Sequence, residues 1–222
     1  MGVSVKICGI TRRDDVLTAA QAGANFAGVI VEIEESPRAV SVETARCIIA
    51  DSPIPIVLLM EKSSREIEQI AGELKPFAVQ LVGDVPAETI RSLKKHNAYR
   101  IWKTMQVAQQ GEDFSLLAAY TLLEQYRTSG VDTLVLDTLV REAGTQKKGG
   151  TGQVCDWHTA KKLVAQSSIP VFLAGGIRPA NVREAMREVH PYGIDVSSGV
   201  ECEPGKKDPQ KILELMHIIR SE

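Results

Sequence analysis

The chain of 222 residues, with 44% apolar and 24% charged residues, is long enough to bury a sizeable core. Its formal net charge of −2 argues against nucleic acid as the main partner. No apolar run reaches the ~18 residues that a membrane span requires, so we expect no membrane partner. The cysteines lie far apart without a CxxC pair, which fits neither a disulfide framework nor a zinc site and favours a cytoplasmic location. They are Cys8, Cys47, Cys155 and Cys202.

Short apolar runs alternate with longer amphipathic stretches from one end of the chain to the other. The eight predicted strands cover 3–9, 26–33, 55–61, 77–83, 99–107, 132–138, 170–176 and 193–200. They are rich in Val, Ile and Leu, and several are apolar on both faces, which is typical of buried parallel strands. The pattern predicts an α/β chain folded as one (β/α)₈ TIM barrel over residues 1–222. A doubly wound sheet has the same alternation, but the first βα turn, CGITRRD, lacks its GxGxxG fingerprint.

Helix boundaries are marked by capping signals at both ends of the chain. Thr11 and Asp14 have the spacing of a capping box, and Gly23 is expected to end the first helix. Asp208 followed by Pro209 predicts the start of the last helix. That helix has one apolar stripe at helical spacing, formed by Ile212, Leu215, Met216 and Ile219.

The first strand, VKICG, ends in a cysteine at the edge where TIM barrels carry their chemistry. Alternation of side chains points Lys6 and Cys8 into the barrel, with Cys8 nearest the mouth. Two interpretations stay open: a buried, inert thiol, or a thiol whose pKa a neighbouring lysine lowers.

The sixth strand, TLVLDT, carries Asp137 at its last position. This residue is either a turn aspartate or an inward-facing functional carboxyl. A loop of about 18 residues follows, over 138–155, and loops of that length often serve as lids. The cluster Gly149-Gly150-Thr151-Gly152 could provide hinges or a close backbone approach, and Gln153 stands where a Walker loop needs lysine.

Small residues end the seventh and eighth strands, PVFLAGG and GIDVSSGV. They are Gly175, Gly176, Ser197, Ser198 and Gly199. Loops after these two strands often bind phosphate through free backbone N–H groups, which favours a phosphate site. Tight packing of strand against helix is the alternative explanation.

Arg38 follows a proline after the second strand and could clamp an anionic group over the barrel mouth. The alternative is a surface arginine paired with Glu34 or Glu35. None of the histidines lies at a strand end, so acid–base chemistry in this barrel would use thiol and carboxyl groups. No cluster has the spacing of a metal site, and Trp102 and Trp157 are interpreted as packing residues.

Five segments together resemble the phosphoribosylanthranilate isomerase family and follow its order from the first strand to the last helix. They are KICGIT at 6–11, SPR at 36–38, LD with GGTG at 136–152, LAGGI with PANV at 173–182, and DVSSGVE with PGKKD at 195–208. The combination of KICGIT with DVSSGVE is highly specific to that family.

The resemblance implies a barrel enzyme of tryptophan biosynthesis, an aldose–ketose isomerase that performs an Amadori rearrangement without a cofactor. It implies that Cys8 is the general base, that Asp137 is the general acid and that Arg38 positions the substrate. Lys6 and Asp195 are expected as supporting groups of the substrate site, and phosphate is expected near Gly175, Gly176, Ser198 and Gly199. The expected partner is a small phosphorylated substrate, bound by a monomer or a homodimer.

Three departures from the family pattern lie near the expected barrel mouth. Val82 stands where the fourth strand usually has histidine, Glu61 stands where asparagine or aspartate is usual, and the second strand reads GVIV at 28–31. These changes leave open a sister isomerase for another phosphorylated ribosylamine, or a barrel that binds such a ligand without turnover. A carboxylic acid that opens the ribose ring and a base that removes the C2 proton would explain the pair of Asp137 and Cys8, which a binding protein does not need.

Overall fold

The computed structural model describes residues 2–96, 98–109, 111–142, 145–148 and 154–222. Within these ranges, eight parallel strands close into the TIM barrel expected from the sequence. The barrel strands are β1 (Ser4–Ile7), β2 (Phe26–Val31), β4 (Ile56–Met60), β5 (Ala78–Leu81), β6 (Arg100–Val107), β7 (Thr133–Glu142), β9 (Val171–Leu173) and β10 (Gly193–Val196). They pair in this order, and β10 pairs with β1 to close the ring.

Helices follow the barrel strands and cover the outside of the ring. They are α1 (Arg13–Ala22), α2 (Val42–Ala50), α3 (Ser64–Leu74), α4 (Ala87–His96), α5 (Leu116–Thr128), α6 (Trp157–Gln166), α7 (Pro179–Val189) and α8 (Pro209–Arg220). The short strands outside the ring are β3 (Ala39–Val40), β8 (Thr145–Lys148), β11 (Glu201–Glu203) and β12 (Lys206–Lys207).

Two signals at helix ends are confirmed by the geometry. Gly23 adopts φ 90° and its N–H donates to the carbonyls of Ala19 and Ala20, a conformation that glycine adopts at little cost. Asp208 caps α8 through its side chain, with Pro209 in the first turn. The predicted apolar stripe of α8 is buried against the barrel.

The capping box predicted at Thr11 is wrong. Helix α1 begins at Arg13, and its N-cap, Arg12, makes no capping hydrogen bond through its side chain. The Thr11 hydroxyl instead donates to the carbonyl of Gly205 at 2.5 Å. A contact across 194 residues has therefore replaced the local one that the spacing suggested.

The predicted loop after the sixth barrel strand is partly a β-hairpin. Strand β7 continues to Glu142 and pairs antiparallel with β8 over Thr145–Lys148. The parallel pairing of β7 with β6 ends at Thr138, so Asp137 does lie at the end of the barrel portion of this strand. The predicted hinge cluster at 149–152 lies outside the described residues.

The barrel interior has an aromatic lower layer. Phe26, Trp102 and Phe172 meet with ring centroids 4.9–6.0 Å apart, and Val57 and Val135 fill the space beside them. Trp102 is 2% exposed, in agreement with its predicted packing role. This layer closes the amino-terminal end of the barrel and leaves the carboxyl end for polar groups.

A buried polar layer lies above the aromatic rings. The Lys6 ammonium donates to Asp195 Oδ2 and to Gln80 Oε1, each at 2.7 Å. The Gln80 amide then donates to Thr104 Oγ1 at 2.9 Å. Because β1 lies across the ring from β5 and β6, Lys6 spans the interior and separates the aromatic layer from the mouth.

We expect that breaking this ion pair from either side destabilises the barrel. Lys6→Met leaves a buried carboxylate without its cation, and Asp195→Leu leaves a buried cation without its anion, so each should lower the free energy of unfolding by roughly 3–5 kcal/mol. The double variant buries neither charge. Its decrease in the free energy of unfolding should therefore be well below the sum of the decreases in the two single variants. Urea unfolding of the four proteins measures the coupling.

Lys206→Met is the matched control, because Lys206 pairs with Glu203 at the surface, and its loss should stay below about 1 kcal/mol. Additive losses in the Lys6 and Asp195 variants would contradict a coupled buried pair.

Candidate active site

Cys8 lies directly after β1, at the carboxyl end of the barrel, and is 6% exposed. Its N–H donates to the carbonyl of Val196 on β10 at 2.8 Å, which fixes the backbone at the end of the strand. Gly28 on β2 makes room for the thiol, since a Cβ there would lie 2.8 Å from Cys8 Sγ and 2.9 Å from Lys6 Cε. The inward orientation predicted for Cys8 and Lys6 is therefore confirmed.

The electrostatic prediction for Cys8 is half right. Burial raises the pKa of the Cys8 thiol to about 11, while the Lys6 charge acts in the opposite direction. Asp195 adds to the increase, and Lys207 opposes it. Lys6 thus favours the thiolate as expected, but desolvation outweighs it, and the predicted net decrease of the pKa is wrong.

Asp137 is a weaker acid than an ordinary aspartate because it is buried. Burial raises the pKa of Asp137 to about 6, although the hydrogen bond from the Thr138 N–H to Oδ1, at 2.8 Å, opposes this increase. Asp195 raises the pKa further, and Lys6 lowers it. A raised pKa suits the role of general acid that the resemblance implies for Asp137.

Cys8 and Asp137 lie at the same end of the barrel on different walls. In the ring, β9 and β10 separate β7, which carries Asp137, from β1, which leads into Cys8. Both groups lie in the electric fields of Lys6 and Asp195. The arrangement places a thiol and a carboxyl on two different strands of the ring, at the same end of the barrel.

Lys6 lies beneath the mouth of the barrel and is fully buried. Its side chain is 0% exposed, and its ammonium is held by Asp195 and Gln80. Asp195 uses Oδ2 for this bond, while its buried Oδ1 has no hydrogen-bond partner in the described part of the chain. Asp195 therefore retains one acceptor atom that no described donor uses.

The small residues after β9 and β10 form turns with free donors. Gly175 and Gly176 adopt φ 78° and 64°, and Ser198 and Gly199 open a short 3₁₀ turn over Ser198–Val200. Among the described residues, the N–H groups of Gly176, Ser198 and Gly199 have no hydrogen-bond acceptor. Backbone N–H groups in such turns form concave anion sites.

Tight packing also explains the glycines at 175 and 199. A Cβ at Gly175 would collide with the Thr138 hydroxyl, and one at Gly199 would collide with the carbonyl of Ile177. The packing explanation is therefore confirmed at these two glycines, and the phosphate site stays a prediction with which the uncovered N–H groups are compatible.

Arg38 is buried, and its partner is neither Glu34 nor Glu35. Its Nε and Nη2 donate to the two carboxylate oxygens of Glu201 at 2.7–3.1 Å. The side chain passes over Gly9, where an added Cβ would lie 2.6 Å from Arg38 Cδ. Since Gly9 follows Cys8, this places Arg38 at the loop that directly follows the thiol.

Four polar residues of the site were not predicted from the sequence. They are Gln80, Gln106, Glu201 and Lys207. Gln106 is opposite Asp137 in the β6–β7 register, and its buried Oε1 has no described partner. The alternation of side chains along β5 and β6 could have identified Gln80 and Gln106 as inward-facing. No local signal indicates that Glu201 would reach Arg38, 163 residues away.

Two of the three departures from the family pattern follow barrel strands at the mouth, whereas the third, GVIV at 28–31, lies within β2 and includes Gly28, which contacts Cys8. Glu61, directly after β4, is exposed and lies against Gly83, and Val82, directly after β5, is partly exposed. In the described residues, no three His, Cys, Asp or Glu side chains form a metal cluster. No helix in the same residues is long and apolar enough to span a bilayer.

Comparison with known proteins gives one consistent family. The family described as N-(5'-phosphoribosyl)anthranilate (PRA) isomerase matches residues 5–217. The N-(5'-phosphoribosyl)anthranilate isomerase of Methanopyrus kandleri is 39% identical, with 99% of each chain covered. The N-(5'-phosphoribosyl)anthranilate isomerase of Methanosarcina acetivorans is 36% identical, and the match covers 97% of this chain and 92% of that protein.

Solved structures agree with the sequence comparison. Phosphoribosylanthranilate isomerase from Thermotoga maritima superposes with a TM-score of 0.82 at 30% identity, over 99% of this chain and 100% of its own. A further isomerase structure, in complex with reduced 1-(o-carboxyphenylamino)-1-deoxyribulose 5-phosphate, gives a TM-score of 0.80 at 29% identity, with 99% and 100% covered. By fold, by matched length and by identity, the chain belongs to the phosphoribosylanthranilate isomerase family.

Proposed function

We propose that this chain isomerises N-(5-phosphoribosyl)anthranilate to 1-(2-carboxyphenylamino)-1-deoxyribulose 5-phosphate in tryptophan biosynthesis, with Asp137 as general acid and Cys8 as general base. The observation that carries the assignment is the position of these two proton-transfer groups on different walls of the barrel, both at its carboxyl end. The family supports the substrate, and the geometry supports the roles.

Asp137 starts the reaction by protonating the ribose ring oxygen. The C1–O bond then breaks, and the aniline nitrogen supplies the electron pair that makes the protonated Schiff base. The Cys8 thiolate removes the proton from C2, and those electrons form the enolamine. Gain of a proton at C1 and loss of the O2 proton give the ketone, so the reaction is balanced without an external oxidant or reductant.

The protonation states at the two groups explain how the acid and the base coexist. Between the pKa values of about 6 and about 11, the free site holds one proton, mostly on the Cys8 sulfur. The reactive form has the same proton count but holds that proton on Asp137, leaving Cys8 as thiolate. Lys6 supports this form because its charge favours the thiolate.

Two anion sites position the substrate at either side of this pair. The N–H groups of Gly176, Ser198 and Gly199 are suited to the 5-phosphate, with Gly175 shaping the same turn. Arg38 binds the remaining anionic group of the substrate, which is the carboxylate of the anthranilate ring. Lys6 and Asp195 support the site from below, with Asp195 Oδ1 available to a substrate hydroxyl.

Turnover of phosphoribosylanthranilate, followed as the loss of its fluorescence, tests the assignment directly. Cys8→Ser and Asp137→Asn should each lower kcat/KM by roughly 100- to 10,000-fold, because each removes a proton-transfer group from the transition state. Cys47→Ser and Asp113→Asn are the matched controls, since both residues are exposed. Near-normal activity of the Cys8 or Asp137 variant would remove that residue from its role.

The pH dependence of kcat/KM should follow the proton count of the pair. As pH falls through about 6, Asp137 gains a proton while Cys8 remains protonated, so activity should fall. As pH rises, activity should stay level until the thiol ionises near 11. A decline of kcat/KM with rising pH around neutrality would contradict these assignments.

A further inference from the structure

A short hairpin that is not part of the barrel follows β10. Strands β11 and β12 pair antiparallel, and the hairpin binds both the loop after β1 and the first turn of α1. The Thr11 hydroxyl donates to the Gly205 carbonyl at 2.5 Å, and the Lys207 N–H donates to Asp15 of α1 at 3.1 Å. The catalytic roles assigned above use no side chain of this hairpin. The buried charged side chains of this hairpin therefore require a separate explanation.

The hairpin brings two buried charges to Arg38. Glu201 and Lys207 are 7% and 2% exposed, and Lys207 Nζ donates to Glu201 Oε1 at 2.7 Å. Burial alone would raise the pKa of Glu201, but the Arg38 hydrogen bonds and the Lys207 charge outweigh it, and the pKa lies below its ordinary value. Glu201 is thus held as a carboxylate between two cations.

Stability is a weak reason for such a cluster. Burial of each ion costs several kcal/mol of hydration, and replacing buried ion clusters by apolar side chains is often neutral or stabilising. A bidentate arginine–carboxylate pair does, however, fix the plane of the guanidinium group. The cluster is better explained by the orientation that it imposes on Arg38.

One edge of Arg38 remains available. Nε and Nη2 are occupied by Glu201, and Nη1 has no hydrogen-bond partner among the described residues. Glu201 alone would cancel the charge of Arg38, but Lys207 restores a net positive charge to the group of three. The result is an oriented cationic donor beside Gly9, the residue that follows Cys8.

We propose that Glu201 is a positioning residue, which orients Arg38 toward the carboxylate of the substrate's aromatic ring while Lys207 keeps the group cationic. The inference rests on the proposed function, because it assigns the ligand of Arg38 within that same site. It predicts that Glu201 affects substrate binding through Arg38 and has no part in proton transfer.

Glu201→Gln tests this role, because glutamine has nearly the same shape but only one acceptor oxygen for the guanidinium fork. We expect KM for phosphoribosylanthranilate to rise about tenfold with kcat changed less than about twofold, as for loss of uniform binding. Inhibition by inorganic phosphate should be unchanged, whereas a collapsed hairpin would also disturb Ser198 and Gly199. Glu203→Gln, on the exposed side of the same hairpin, should match the unmodified protein.

A double variant shows whether Glu201 acts through Arg38. In an Arg38→Met background, Glu201→Gln should cause no further rise in KM, because the group that it orients is gone. Arg38→Lys retains the charge without the fork and should raise KM as Glu201→Gln does, which keeps the test available if the Glu201 variant does not fold.

Unchanged KM in Glu201→Gln or Arg38→Lys, or a further rise in the double variant, would overturn the positioning role alone. Absence of turnover in the unmodified protein would instead overturn the proposed function, and this inference with it.

Discussion

The ion pair between Lys6 and Asp195 is the constraint on which the rest of the site depends. It places a cation in the interior of a closed sheet, where the low dielectric makes its field strong and water is excluded. The aromatic layer beneath it closes one end of the barrel, so only the other end is open to polar chemistry. Cys8 and Asp137 lie in the field of this pair, and their proton affinities cannot be set independently.

This common field explains why one barrel can provide both an acid and a base. Desolvation raises the pKa of both groups, which suits Asp137 as a proton donor but makes the Cys8 thiolate costly. Lys6 reduces that cost and at the same time limits the increase at Asp137. In a barrel without the buried cation, desolvation would still suit Asp137 as a proton donor, but the Cys8 thiolate would be more costly to form.

Much of the fold could be predicted because its signals are local. Runs of branched apolar residues mark buried strands, and alternation within β1 is enough to point Lys6 and Cys8 inward. The cap at Asp208 could be predicted for the same reason, since it depends on neighbours in sequence. The rule that TIM barrels carry their chemistry at the carboxyl ends of the strands then indicates the end of the barrel at which both Cys8 and Asp137 lie.

The errors arose where distant segments compete with local signals. Thr11 has the spacing of a cap, but its hydroxyl reaches Gly205 instead, and Arg38 passes over its acidic neighbours in sequence to reach Glu201. The net pKa of Cys8 was mispredicted because burial, which no single segment encodes, outweighs the visible lysine. Local patterns predict elements, whereas contacts between loops and the degree of desolvation follow only from the assembled barrel.

Titration of the Asp137 side chain, by carbon-13 NMR of the carboxyl group with Asp137→Asn for assignment, tests the central claim most directly. If burial beside the Lys6–Asp195 pair prepares this group as an acid, its midpoint in the free protein should lie near 6. A midpoint at or below the ordinary aspartate value of about 3.9 would contradict the account, because the carboxyl would then hold no proton to donate near neutral pH.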